Sequence, residues 1–256
     1  MTTEFSGTGD PVRTLELLWG VQERPRRGPR PKLTAEEIVR TAIGLADAEG
    51  LDTLSMRRIA ERLGVSAMSI YTYVPGKSEL IDVMLDRAYG ELTPPPDGAG
   101  WRAALEHIAR GSWALFHRHP WMLQVATGRP PLGPHLVEKY EFELRAVEGL
   151  GLTDVEMDSV AALVNGFAES SARVSVHTAE VGRRTGMTDE QWWEAAAPFV
   201  AKVVDPERYP LGHRVGTAAG QEYGGAVGPG HAFEFGLARV LDGVEALIAS
   251  RADPAG

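Results

Sequence analysis

Cysteine is absent from the 256 residues. That excludes a disulfide framework, a thiolate metal site and a cysteine nucleophile, and it fits a reducing compartment, for which the cytoplasm is the expectation. Long apolar runs are missing as well. Nothing approaches the roughly 20 consecutive apolar residues that cross a bilayer, and the opening "MTTEFSGTGD" has neither the basic start nor the apolar stretch of a secretory signal, so no membrane partner is expected. No nucleotide-binding glycine loop, His-Glu-x-x-His or Gly-x-Ser-x-Gly occurs, which leaves an enzymatic reading without a site to rest on. His117 and His119, the only close histidine pair, are two apart and fall on different helix faces, so neither a metal nor another cofactor is expected.

What is present is ordinary globular composition, 43% hydrophobic and 24% charged, which is enough to bury a core. The net charge of -9 argues against a nucleic-acid partner only if it is spread evenly. It is not: residues 1 to 92 carry 12 basic against 14 acidic side chains, and residues 93 to 256 carry 14 against 21. Within the first part Arg24, Arg26, Arg27, Arg30 and Lys32 occur with no acid among them, interleaved with proline and glycine. This is a basic, extended arm.

Three units follow from the punctuation: residues 1–33 as an extension ending in the basic arm, 34–92 as a small helical domain, and 93–256 as a larger one opening at the proline-rich "TPPPDGAG". Thr34 and Glu37 form a capping-box pattern ahead of a helix that stops at Gly50, and Leu80, Val83, Met84 and Ala88 repeat at helical spacing on a connector from Lys77 to Leu92. Beyond the boundary the pattern predicts helices over 101–118, 134–149, 153–181, 188–203 and 231–251, with 205–230 unassigned and no strand. The "DPVRTLELLWG" segment has helical spacing at Leu15, Leu18 and Trp19. The fold class is all-α.

The most informative stretch is "SMRRIAERLGVSAMSIYTY", Ser55 to Tyr73. Ser55 and Ser66 can each cap a short helix, Ala60 leaves room for two helices to cross, and Gly64 suits a left-handed turn between them. Ile59, Leu63, Val65, Ile70 and Tyr73 supply an apolar interior. This is the helix-turn-helix pattern, whose second helix enters a DNA major groove. That helix presents Ala67, Met68, Tyr71 and Thr72, with Ser66 and Ser69 near its start. These side chains suit base edges and thymine methyls but hold no Arg or Asn for a bidentate code. Arg57, Arg58 and Lys77 are placed to hold phosphates. A packed helical corner is the plain alternative, and the basic arm and the preceding helix count against it.

Through "LSMRRIAERLGVSAMSIYTYVPGKSELIDVML" the chain resembles the TetR family of transcriptional regulators, and "FHRHPWMLQVATGRPPLGPHLVEKYEFELRAVEGLGL" with "FEFGLARVLDGVEAL" resembles the second domain of its tetracycline-repressor branch. The resemblance implies an all-helical homodimer that reads a palindromic operator in double-stranded DNA and holds a small-molecule effector in the C-terminal domain. The expected DNA contacts are Arg30, Lys32, Ser55, Met56, Arg57, Ser66, Ala67, Met68, Ser69, Tyr71, Thr72, Tyr73 and Lys77. Thr72 and Val74 depart from the His or Phe common in that family's "Y-x-[HY]-[FY]" segment.

For the effector, the aromatic and polar residues of the second domain nominate Trp113, Phe116, His117, Met122, Phe142, Asn165, Phe167, Ser170, Arg173, His177 and Phe199. The aromatics could equally be core, and the polar set on 165–177 a solvated face. For the dimer seam, Val160 and Val164 on one helix and Phe233, Leu237, Leu241, Val244 and Ile248 on the last form broad apolar stripes, which could also be internal core. Two functions follow: a repressor released by its effector, or a constitutive DNA-binding protein whose second domain is packed solid.

Overall fold

Thr34 opens the helix that precedes the Ser55–Tyr73 stretch as a full capping box: its hydroxyl accepts the Glu37 N–H at 3.1 Å, and the Glu37 carboxylate accepts the Thr34 N–H at 2.9 Å. The computed structural model describes residues 4–21 and 33–252. In chain order it contains β1 (Glu4–Phe5), α1 (Pro11–Leu18), α2 (Ala35–Glu49), α3 (Met56–Leu63), α4 (Ala67–Tyr71), α5 (Lys77–Tyr89), α6 (Trp101–Arg118), β2 (Val125–Ala126), α7 (Pro134–Arg145), α8 (Asp154–Thr185), α9 (Asp189–Val203), α10 (Pro210–Tyr223) and α11 (Pro229–Ala252), with single 3₁₀ turns at Leu51–Thr53 and Pro120–Gln124. The all-α expectation holds. The two strands are two residues each and pair in parallel, Glu4 with Val125 and Phe5 with Ala126.

Helix boundaries differ from the sequence reading where local chemistry intervenes. The connector α5 stops at Tyr89 rather than Leu92, and α7 stops at Arg145 rather than 149. α8 runs on to Thr185, ending at Gly186 in the left-handed conformation (φ 67°). The unassigned 205–230 region contains α10, begun by Pro210 at its first position. Its many glycines hid a helical stretch.

Two apolar cores form. One joins Ile38, Val39, Ala42, Ile59, Ile70, Val74, Leu80 and Met84 of the N-terminal unit to Leu115, Phe116, Trp121 and Met122 at the end of α6, and to Ala172 and Val176 of α8. The other lies among α6, α8 and α11, around Leu105, Ile108, Val160, Val164, Phe233, Leu237 and Leu241. The apolar interior therefore crosses the proline-rich boundary at 93–100, and the small domain is packed onto the large one.

The segment before the arm is held down as well. Ser6 N–H donates to the Ala126 carbonyl at 3.1 Å, and its hydroxyl donates to the Arg129 carbonyl. Gly7 N–H reaches both oxygens of Asp82 at 3.1 and 3.2 Å. Gly7 has φ 66°, and a Cβ there would lie 2.7 Å from that of Arg129, so only glycine fits. α1 then packs on α5, with Trp19 Nε1 donating to the Leu132 carbonyl at 3.0 Å. Residues 4–21 form a strap over the junction of the two domains.

Candidate functional site: a nucleic-acid interface and a helical second domain

The turn between α3 and α4 has the geometry its sequence demands. Ser55 caps α3 by accepting the Arg58 N–H at 3.3 Å, and Gly64 closes it with φ 67°. Val65 N–H returns to the Ala60 carbonyl at 3.0 Å, and Ala60 is buried where α3 and α4 meet. Ser66 caps α4 by accepting the Ser69 N–H at 3.2 Å. Ile70 and Val74 are fully buried, which fixes the rotation of α4 and turns Met68 (73% exposed) and Tyr71 (45% exposed) outward. An exposed methionine and tyrosine on a capped helix, backed by a sealed core, make a surface shaped for contact.

The structure sorts the expected DNA contacts. Ser66, Met68, Tyr71 and Thr72 are exposed, while Ala67, Ser69 and Tyr73 are half-buried on the same short element. Arg57 is exposed and pairs with Glu61 at 2.8 Å. Met56 is corrected: its side chain is buried in the first core, because it follows the cap on the inward face of α3. Arg58 turns back to Glu49 and to the Thr53 carbonyl, away from the α4 face. The Lys77 ammonium lies 2.7 Å from the Glu4 carboxylate of the strap. Arg30 and Lys32 lie outside the described residues.

In the C-terminal domain the aromatic candidates divide. Trp113 stacks on Phe233 with ring centroids 4.2 Å apart, and Phe167 stacks on the same ring at 5.9 Å. Phe142 packs beside this second core. Phe116 and Met122 are buried parts of the first core and serve as packing. His117 is exposed, its Nε2 2.9 Å from the Ser175 hydroxyl, and Ser170 and His177 are exposed. Arg173 pairs with Glu169 at 2.7 Å and donates to the Leu123 carbonyl. Phe199 stands apart, exposed on α9. A cavity of about 340 Å³ opens between α9 and α10, lined among others by Trp193, Val200, Val204, His213 and Thr217. None of the expected effector residues lines it.

Sequence reasoning missed a buried polar network. Lys139 and Glu143, one turn apart on α7, form an ion pair sealed from solvent, and Lys139 Nζ also donates to Asn165 Oδ1 at 2.8 Å. Burial pulls the lysine below its ordinary pKa, against the pull of Glu143. The same ammonium lies 5.8 Å from the Tyr89 ring centre, and burial, with the Glu169 and Glu143 charges, pushes that phenol up to about 12. The pattern "EKYEFE" reads as a solvated helix face. The one usable signal was that Lys139 lies three residues before Phe142, on the same helix face.

Also missed were three acids on α5, Glu79, Asp82 and Asp86, all buried. Asp86 accepts the Leu136 N–H at 2.9 Å and so closes the first turn of α7 from another helix, which supplies no side-chain cap of its own. At the back of the junction His119 is buried between Asp47 of α2 (2.8 Å) and Glu91 (3.1 Å), and Trp121 Nε1 donates to Asp47 at 2.9 Å.

The expected dimer residues are corrected in the same way. Val160, Val164, Phe233, Leu237, Leu241 and Val244 are each 4% exposed or less, packed among α6, α8 and α11. Their stripes are the inward faces of those helices. Ile248 is half-buried at the edge of the same core. The apolar side chains left facing out on these helices are others, Leu163 and Val174 on α8 and Phe235 on α11 among them.

A capped helix-turn-helix unit whose outward helix carries Met68 and Tyr71, welded to a helical domain with a buried polar interior, defines a helix-turn-helix DNA-binding regulator. Residues 38–84 match the bacterial regulatory proteins of the tetR family, and residues 93–248 match the tetracyclin repressor-like C-terminal domain. The chain belongs to the TetR family of transcriptional regulators.

It is similar to the HTH-type transcriptional repressor DrrR1 of Streptomyces coeruleorubidus, 46% identical over 252 residues, 98% of this chain and 91% of that protein. The class C tetracycline repressor protein of Escherichia coli is 26% identical over 218 residues, 84% of this chain and 91% of that protein. Among solved structures, apo ActR from Streptomyces coelicolor superposes with a TM-score of 0.70 at 27% identity, covering 89% of this chain and all (100%) of that one. ActR in complex with actinorhodin superposes at 0.66 with 26% identity, covering 86% and 99%.

Proposed function

We propose that the protein is a transcriptional repressor that binds a palindromic operator as a homodimer and is released by a small molecule received in the C-terminal domain. The observation that carries the reading is the α4 surface: Met68 and Tyr71 turned to solvent by a fully buried Ile70, on a helix whose amide end is capped by Ser66. Two such helices in a dimer must lie roughly 34–36 Å apart to enter successive major grooves. The outward apolar side chains of α8 and α11, Leu163 and Phe235 among them, are the proposed seam.

For the effector, the half-buried aromatics Trp113, Phe142 and Phe167, with the half-buried Asn165 amide held by the sealed Lys139–Glu143 pair, offer stacking faces and polar anchors on α6, α7 and α8, and the likeness to the ActR–actinorhodin complex supports a receiver of that kind. A ligand acts only through its differential affinity for the DNA-competent and released arrangements. Its path to α4 runs through α5, which holds α7 by Asp86, and through the His119 junction with α2.

The test is selection of duplexes from a random-sequence pool by the purified protein, followed by titration of the bound complex with actinorhodin and with tetracycline. Enrichment of a two-fold symmetric site and its displacement by either compound is the expected result. A protein that enriches no duplex is not a regulator of this kind, and one that binds a compound without releasing DNA is constitutive.

A further inference from the structure

Lys77 begins the connector helix just beyond the exposed face of α4, and it is the one strongly basic residue on that helix's first turn. Its ammonium is not offered to solvent alone. The strap brings the Glu4 carboxylate to 2.7 Å, with the lysine 32% and the glutamate 29% exposed. Glu4 is placed there by backbone contacts that do not involve its own side chain: pairing of Glu4–Phe5 with Val125–Ala126, the Ser6 N–H on the Ala126 carbonyl, and the Gly7 N–H on Asp82. Thr8 hydroxyl reaches Ser78 at 3.1 Å beside it. The carboxylate gives the lysine the kind of oxyanion partner that a phosphate would give it.

Resting on the proposed operator binding, we propose that Glu4 is an intramolecular competitor of operator phosphate for Lys77, so that the docked strap holds the affinity of the DNA-binding unit down. On binding, Lys77 exchanges a carboxylate for a phosphate, and the freed Glu4 carboxylate gathers a cation in place of the counterion that the phosphate gives up, so the exchange releases no net counterion. Without the carboxylate the same lysine arrives unpaired and displaces a condensed counterion, which strengthens binding and steepens its salt dependence.

The experiment measures binding of a duplex selected by the wild-type protein from a random pool, across a range of salt concentrations, for wild type, Glu4→Gln, Lys77→Gln and the double variant. Glu4→Gln should bind about 3- to 10-fold more tightly at about 0.1 M salt, with a plot of log K against log salt steeper by about 0.9. Lys77→Gln should bind more weakly, and adding Glu4→Gln to it should change neither affinity nor slope. Unchanged binding by Glu4→Gln, or an equal gain with and without Lys77, overturns the competition and assigns Glu4 to structure or to general repulsion. A wild-type protein that selects no duplex instead removes the reading on which the proposal rests.

Discussion

Replacing Asp82 by Asn tests the junction of strap and connector through its pH dependence. Asp82 is 0% exposed, and burial, aided by the charge of Glu79, raises its carboxyl from 3.8 to about 6 against the lowering effect of the Gly7 N–H. An acid with a raised folded-state pKa keeps a proton that the unfolded chain has lost, so this group lowers stability progressively as pH rises from about 4 to about 6, and its cost is constant above that. Two pKa units at 1.36 kcal/mol each set that cost at about 3 kcal/mol. Asn carries no charge, and its amide oxygen can still accept from Gly7. Urea unfolding of both proteins from pH 4 to 8, taken as a difference so that other acids cancel, should show the variant equal to wild type near pH 4 and about 2–3 kcal/mol more stable above pH 6.5. A difference that is flat with pH, or that favours wild type more as pH rises, would refute the account of a carboxylate held against its desolvation.

Lys139→Met alone should cost about 3–5 kcal/mol in the same assay by leaving Glu143 charged and sealed, whereas Lys139→Met with Glu143→Leu should recover most of it. Met68→Ala with Tyr71→Ala should abolish duplex binding while Tm moves by less than about 2 °C; a large fall in Tm would mean that these side chains are core. Leu163→Glu with Phe235→Glu should give a folded monomer in sedimentation, while Leu237→Glu should fail to fold because that position is interior.

The reading unit was legible because its determinants are local. Caps at Thr34, Ser55 and Ser66, a left-handed turn at Gly64 and a small residue at Ala60 act within a few residues of themselves, and each appears in the structure with its bonds made. The second domain was legible as helices but not as surfaces. An apolar stripe states that a face is buried without saying by what, and the stripes on α8 and α11 are buried by one another and by α6 rather than by a second copy. The strap, the capping of α7 by Asp86, the His119 bridge and the Lys139–Glu143 pair join residues far apart in the chain, or hide charges that sequence pattern assigns to solvent. No periodicity reports such pairings.

The capping of α7 from α5 carries a mechanical corollary. Because the opening amide of one rod is sealed by an acid rooted in the other, sliding them apart would strand that acid and a backbone donor together in a dry place. Whatever wedges the first rod sideways therefore tugs the second with it, and the near end of that second rod, at Lys77, follows α4 in the chain by one short turn.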